Sequence, residues 1–130
     1  MKPSVFDFRS GRVVHWELEV FDEDAPIDGQ LDELREDLAQ VEYPSAVLLD
    51  IGWYPEFNAA GQFTVSVVRE GDWEFPIFCE RAALGALRNV VSRAVKAADL
   101  SSTSPELHAP PAKNSGPTSS TARRPYDHLD

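Results

Sequence analysis

Four carboxylates, Asp50, Glu56, Asp72 and Glu74, fall near the ends of what reads as a pair of strands. Grouped carboxylates can hold Mg²⁺ for hydrolytic chemistry. Their spacing matches no calcium loop, and His15 is the one histidine before the Ser/Pro-rich end of the chain, which holds His108 and His128. A nucleophile and base would require Cys79 or a serine beside His15, and no local motif supports that pairing. Cys79, at a strand-to-helix junction, reads as a small buried residue. The chain has no Gly-rich phosphate loop, no CxxC and no HExxH. No catalytic residue, metal ligand or cofactor is therefore expected.

Residues suited to recognition are more prominent. Between Glu17 and Glu42 stand eleven acids and a single base, Arg35. Such a block is either a solvated face that maintains solubility or a landing surface. Charges clustered within a Debye length of about 8 Å can steer a cationic partner. Around the central strand pair, aromatics alternate with acids in Gly52-Trp53-Tyr54-Pro55-Glu56-Phe57 and Asp72-Trp73-Glu74. Trp and Tyr bury large area at low entropic cost, which is why they recur at binding hot spots. Trp16, Trp53 and Trp73 could equally serve packing, whereas Tyr54, Glu56 and Phe57 are harder to explain that way. The expected partner-binding set is Glu17, Glu19, Asp32, Glu33, Glu36, Tyr54, Glu56, Phe57, Asp72 and Trp73.

Bulk charge narrows the partner class. The 130 residues carry a formal charge of −10, and residues 101–130 contribute none of it, with three acids and three bases. A field of that sign repels phosphate backbones and anionic lipid and draws in cationic protein. Nucleic acid and membrane are thus not expected as partners. The single cysteine precludes an internal disulfide, and MKPSVFDFRS has no apolar core of signal-peptide length. No run approaches the roughly 18 apolar residues of a membrane helix, so a cytoplasmic location is expected.

The elements that must position these residues can be read in chain order. Ser4–Arg9 and Arg12–Phe21 flank Ser10-Gly11 and read as a hairpin, with Val14, Trp16, Leu18 and Val20 on one face and His15, Glu17 and Glu19 on the other. Leu31, Leu34, Leu38 and Val41 recur at helical spacing, which predicts a helix to about Val41, ended before Pro44. Ala46–Leu49 and Phe63–Val68 predict a central hairpin, and Trp73–Phe78 a short strand kept at an edge by Pro76. Leu84, Leu87, Val91 and Val95 predict a closing helix over Glu80–Leu100. The order ββαβββα implies an α+β domain over residues 1–100: an antiparallel sheet of four to five strands with two helices on one face. Residues 101–130, rich in Ser, Thr and Pro and poor in large aliphatics, read as a disordered tail.

The segment VLLDIGWYPEFNAAGQFTVSVVREGDWEFPI resembles small immunity proteins that bacteria encode beside polymorphic or contact-dependent growth-inhibition toxins. The likeness rests on a strand ending Asp50-Ile51-Gly52-Trp53-Tyr54-Pro55, a loop containing Gly61, a Val-rich return strand, and Asp72-Trp73-Glu74 before a closing helix. It implies a cytoplasmic antidote, not an enzyme, that binds one cognate toxin domain 1:1 as a monomer and blocks its active site or substrate entry. A different class, an acidic secretion chaperone or adaptor for an effector protein, is also small, acidic and α/β, and differs in usually being a dimer.

Overall fold

A computed structural model describes residues 1–102; residues 103–130, which make up nearly all of the expected tail, lie outside the described residues. Eight cross-strand pairs, from Val47↔Arg69 to Tyr54↔Gln62, join β3 (Val47–Tyr54) to β4 (Gln62–Arg69) as the centre of the sheet. β1 (Arg12–Trp16), β2 (Ala39–Tyr43) and β5 (Phe78–Ala82) complete a five-stranded antiparallel meander in the order β1-β2-β3-β4-β5. With α1 (Leu87–Ser102) the fold is α+β, as the residue pattern predicts. Among the described residues no helix is long and apolar enough to cross a membrane.

Period-two alternation sorts the strands into two faces. Val47, Leu49, Ile51 and Trp53 share one face with Phe63, Val65 and Val67, and all are buried. Each such side chain withdrawn from water contributes about 2 kcal/mol. Against this face α1 lays Leu87, Val90, Val91, Ala94, Val95 and Ala98, spaced three or four apart so that they form one stripe. Phe8, Leu18, Phe21, Leu34 and Leu38 close the same core around its margin.

Several elements depart from their expected form. Ser4–Arg9 is not a strand: Pro3–Val5 is a 3-10 turn, and Phe6 and Phe8 are held by ring contacts with Trp16 at 6.0 and 5.7 Å. The indole of Trp16 donates to the Met1 carbonyl at 2.9 Å, which fastens this segment without a ladder. The next strand ends at Trp16, because Leu18–Val20 turns into a 3-10 helix that buries Leu18 and leaves Val20 exposed.

The helix expected over Leu31–Val41 is absent. Ile27–Glu33 forms 3-10 turns, residues 34–38 run extended beside the end of β3, and Ala39–Tyr43 is β2. Leu34, Leu38 and Val41 are each fully buried, but by lying along a sheet. The chain reverses between β2 and β3 at Ser45 and Ala46, both with positive φ (68° and 59°), so Pro44 marks a hairpin and not a helix end. β5 begins at Phe78, five residues later than expected, and is an edge strand with Pro76 just outside it. The closing helix starts at Leu87 after a 3-10 turn at Leu84–Ala86, and continues through Ser102.

Candidate protein-interaction surface

The four carboxylates weighed for metal chemistry lie apart in the fold, as do His15 and Cys79. Asp50 sits mid-strand in β3, buried, and accepts a hydrogen bond from Gln40 Nε2 at 2.9 Å. Glu56 follows one end of β3, while Asp72 and Glu74 lie past the β4 residue paired with its other end, about 25 Å away at the rise of an eight-residue strand. Among the described residues no group of three or more His, Cys, Asp or Glu is placed to hold a metal ion. His15 and Cys79 are on opposite edge strands. Cys79 is exposed, contrary to expectation, because its side of β5 faces away from α1.

One group of recognition residues does converge, at the end of β3 where Tyr54 pairs with Gln62. Residues 34–38 add themselves to this end. Trp53 N–H donates to Arg35 O at 2.8 Å, Leu38 N–H to Ile51 O at 3.0 Å, and Phe57 N–H to Leu34 O at 2.7 Å. Between these bonds the chain bulges, and the Tyr54 hydroxyl donates to the Glu36 carbonyl at 3.3 Å. This approach needs Gly52: a Cβ there would stand 1.9 Å from Glu36 O. Trp53, which sequence alone left between packing and binding, is core: its ring meets Phe63 edge-on at 4.9 Å and its indole donates to Asn58 O at 2.8 Å.

The segment carrying Glu33, Arg35 and Glu36 is thereby bonded alongside the one carrying Tyr54, Glu56 and Phe57. Arg35 reaches Glu17 at 4.0 Å, which brings in the last residue of the irregular link after β1, and Glu17 also lies 3.6 Å from His15. Phe57 is the apolar centre, half exposed at 50 % and held at φ 60°. A bulky residue in the left-handed region costs roughly 1–2 kcal/mol. The Leu34 bond fixes that backbone while the ring faces water.

The acid block divides into paired and unpaired members. Glu23 receives a two-pronged bond from Arg88 at 2.9–3.2 Å, and that guanidinium holds its carboxyl below the ordinary range. Glu42 is paired with Arg12. Glu19, Asp28, Asp32 and Glu33 make no ion pair among the described residues. Asp28, Asp32 and Glu33 line one open groove with Gln30 and Val20, next to the Phe57 surface along the chain.

No known protein family, curated protein or solved structure matches the chain.

Asp72 and Trp73 stand apart from the rest of the expected set. They lie in the β4–β5 connection, beyond the other end of β3, where Glu70 N–H donates to Ala46 O at 2.8 Å. Asp72 Oδ1 accepts from Phe75 N–H at 3.3 Å, a local turn bond, and Trp73 is partly buried. What sequence reasoning missed at the first end was the role of residues 34–38 and of Gly52. A glycine inside an otherwise apolar strand was the available signal, since it marks a close backbone approach.

Proposed function

We propose that this protein is an inhibitor of the immunity type, which captures a cationic toxin domain on the surface centred on Phe57 and blocks that domain's active site or substrate entry. The observation that carries the reading is an aromatic ring half exposed in a left-handed backbone conformation, its N–H bonded to Leu34 O in the segment that carries Glu33 and Glu36, with Glu17 reached through Arg35. Bulky residues are kept at such φ values where function retains them. Acids around an apolar anchor supply the two separable parts of recognition: charge accelerates encounter, and the desolvated ring slows dissociation.

The test is genetic and kinetic. The neighbouring upstream reading frame, expressed as its C-terminal domain alone, should arrest growth, and co-expression of this chain should restore it. With the purified pair, the association rate should fall by about tenfold as ionic strength rises from low to physiological. Phe57→Ala should weaken the complex by about thirtyfold, mostly through dissociation. An association rate indifferent to salt, or a Phe57→Ala variant that binds as the parent does, overturns the assignment of this surface. A stable dimer formed without partner would point to the chaperone class.

A further inference from the structure

Between Glu17 and Glu42 a base occurs once, as Arg35, against eleven carboxylates. Bases from outside this block meet its acids in short contacts: Arg88 forks onto Glu23 at 2.9–3.2 Å, and Arg12 reaches Glu42 at 2.9 Å. Arg35 is placed differently. Its guanidinium lies 4.0 Å from Glu17, at the outer limit of an ion pair, and the other Glu17 oxygen is 3.6 Å from His15. The side chain is half exposed, at 52 %, whereas its root is fixed. Arg35 N–H donates to Glu33 O at 3.0 Å, and Arg35 O accepts from Trp53 N–H at 2.8 Å. The preceding residue, Leu34, accepts from Phe57 N–H at 2.7 Å, so the Arg35 backbone stands one residue from the bond that holds Phe57. A guanidinium is a planar fork of five donors that matches a carboxylate in two parallel bonds. Held at its root and loosely engaged at its head, Arg35 can turn that fork to a group outside the chain.

We propose that Arg35 is the specificity residue of this surface: in the complex it binds one carboxylate that the toxin domain carries within its basic face, beside the hollow that receives Phe57. The proposal rests on the reading of the Phe57 surface as one that captures a cationic toxin domain. On such a surface a positive group opposes the approach of the partner, so Arg35 does nothing for encounter. In the docked state it repels the partner's bases wherever no carboxylate stands opposite. Both effects are unfavourable for a partner that is uniformly basic, and only a carboxylate at that one place reverses the second. A surface built this way rejects proteins that are merely cationic and fixes the register of the one that carries the matching acid. Attraction by the surrounding acids then selects the class of partner, and Arg35 selects within it.

Arg35→Glu tests this, because charge attraction and the specific pair push affinity in opposite directions. With the purified toxin domain encoded upstream, association of Arg35→Glu should quicken by about threefold at low salt, since the field becomes more negative. Its dissociation should quicken by about thirtyfold, since the partner carboxylate loses its fork and faces a like charge. Arg35→Gln sets no acid beside Glu17; it should keep the parent's denaturation midpoint and dissociate about tenfold faster than the parent. Reversal of the toxin domain's carboxylates to lysine, one at a time, should find one that restores slow dissociation to Arg35→Glu. If Arg35 serves only to neutralise Glu17, Arg35→Glu binds at least as tightly as the parent and no reversal rescues it. Either result overturns the proposal while the parent complex and its dependence on Phe57 stand. A parent chain that does not bind, or a Phe57→Ala variant that binds as the parent does, removes instead the reading beneath it.

Discussion

The two ends of the β3–β4 hairpin are built from similar residues and behave differently. Both carry a tryptophan between carboxylates or beside them, Asp50-Ile51-Gly52-Trp53 at one end and Asp72-Trp73-Glu74 at the other. At the Tyr54 end a third segment, residues 34–38, is bonded alongside β3 and delivers acids from elsewhere in the chain to an exposed ring. At the Val47 end the chain is fastened by local turns with positive φ at Ser45, Ala46, Glu70 and Gly71, and by the last carbonyls of α1. Composition is therefore a poor guide to a recognition surface; what distinguishes the first end is that the distant segment joined there, residues 34–38, carries acids of its own, whereas the end of α1 contributes backbone carbonyls to the other.

The largest expected effect comes from preventing that meeting. Gly52→Ala places a methyl group where the Glu36 carbonyl lies, and backbone on both sides leaves little to yield. We expect a loss of about 3 kcal/mol in chemical denaturation, typical of severe overpacking, with Phe57 and the acids displaced from one another. Gly71→Ala at the other end, at φ 70°, should cost about 1 kcal/mol and leave the Phe57 surface intact. Equal losses would mean that the two ends are structurally equivalent.

How much of this could be read from residue types differs from element to element for identifiable reasons. β3 and β4 were legible because a buried central pair shows as an apolar run beside an alternating one. Leu31, Leu34, Leu38 and Val41 fit a helix, yet Ala39, Val41 and Tyr43 fit a strand equally well, with Gln40 and Glu42 on the opposite side. Tertiary pairing with β3 decided between two periods that overlap in this stretch. The alternation through Leu18 and Val20 misled similarly, since one is buried and the other exposed. Of the recognition set, Tyr54, Glu56 and Phe57 follow one another in the chain, and their grouping could be seen. Their contact with Glu36 and, through Arg35, with Glu17 depends on a backbone path that no local pattern encodes.

Phe57 offers a finer cut between the ends. If its ring is kept for contact at the expense of its backbone, Phe57→Gly should be more stable than Phe57→Ala by about 1 kcal/mol, because φ 60° suits glycine and not a side chain. Both variants should lose partner affinity alike. Thermal and denaturant midpoints of the pair check this, and an alanine variant at least as stable as the glycine one would show that the local backbone relaxes once the ring is gone.

The smallest effect concerns how α1 is tied to the Tyr54 end. Arg88, one residue into the helix, binds Glu23 in the acid block, and Arg93 binds Glu80 on β5; each guanidinium holds its carboxyl partner below the ordinary carboxylate range. A carboxyl whose pKa is depressed by folding contributes stability above its unfolded pKa and loses it as pH falls through the folded value. The wild-type advantage over Arg88→Ala should accordingly be constant from neutral pH to about 5 and shrink below the carboxylate range. Both pairs are exposed, so the advantage is small at any pH. The difference between the variant and its parent isolates the Glu23 pair, and hydrogen exchange in the first turn of α1 locates it. Faster exchange there in Arg88→Ala, with the last turn of α1 unchanged at the Val47 end, would show that the helix is anchored to the two ends by independent means.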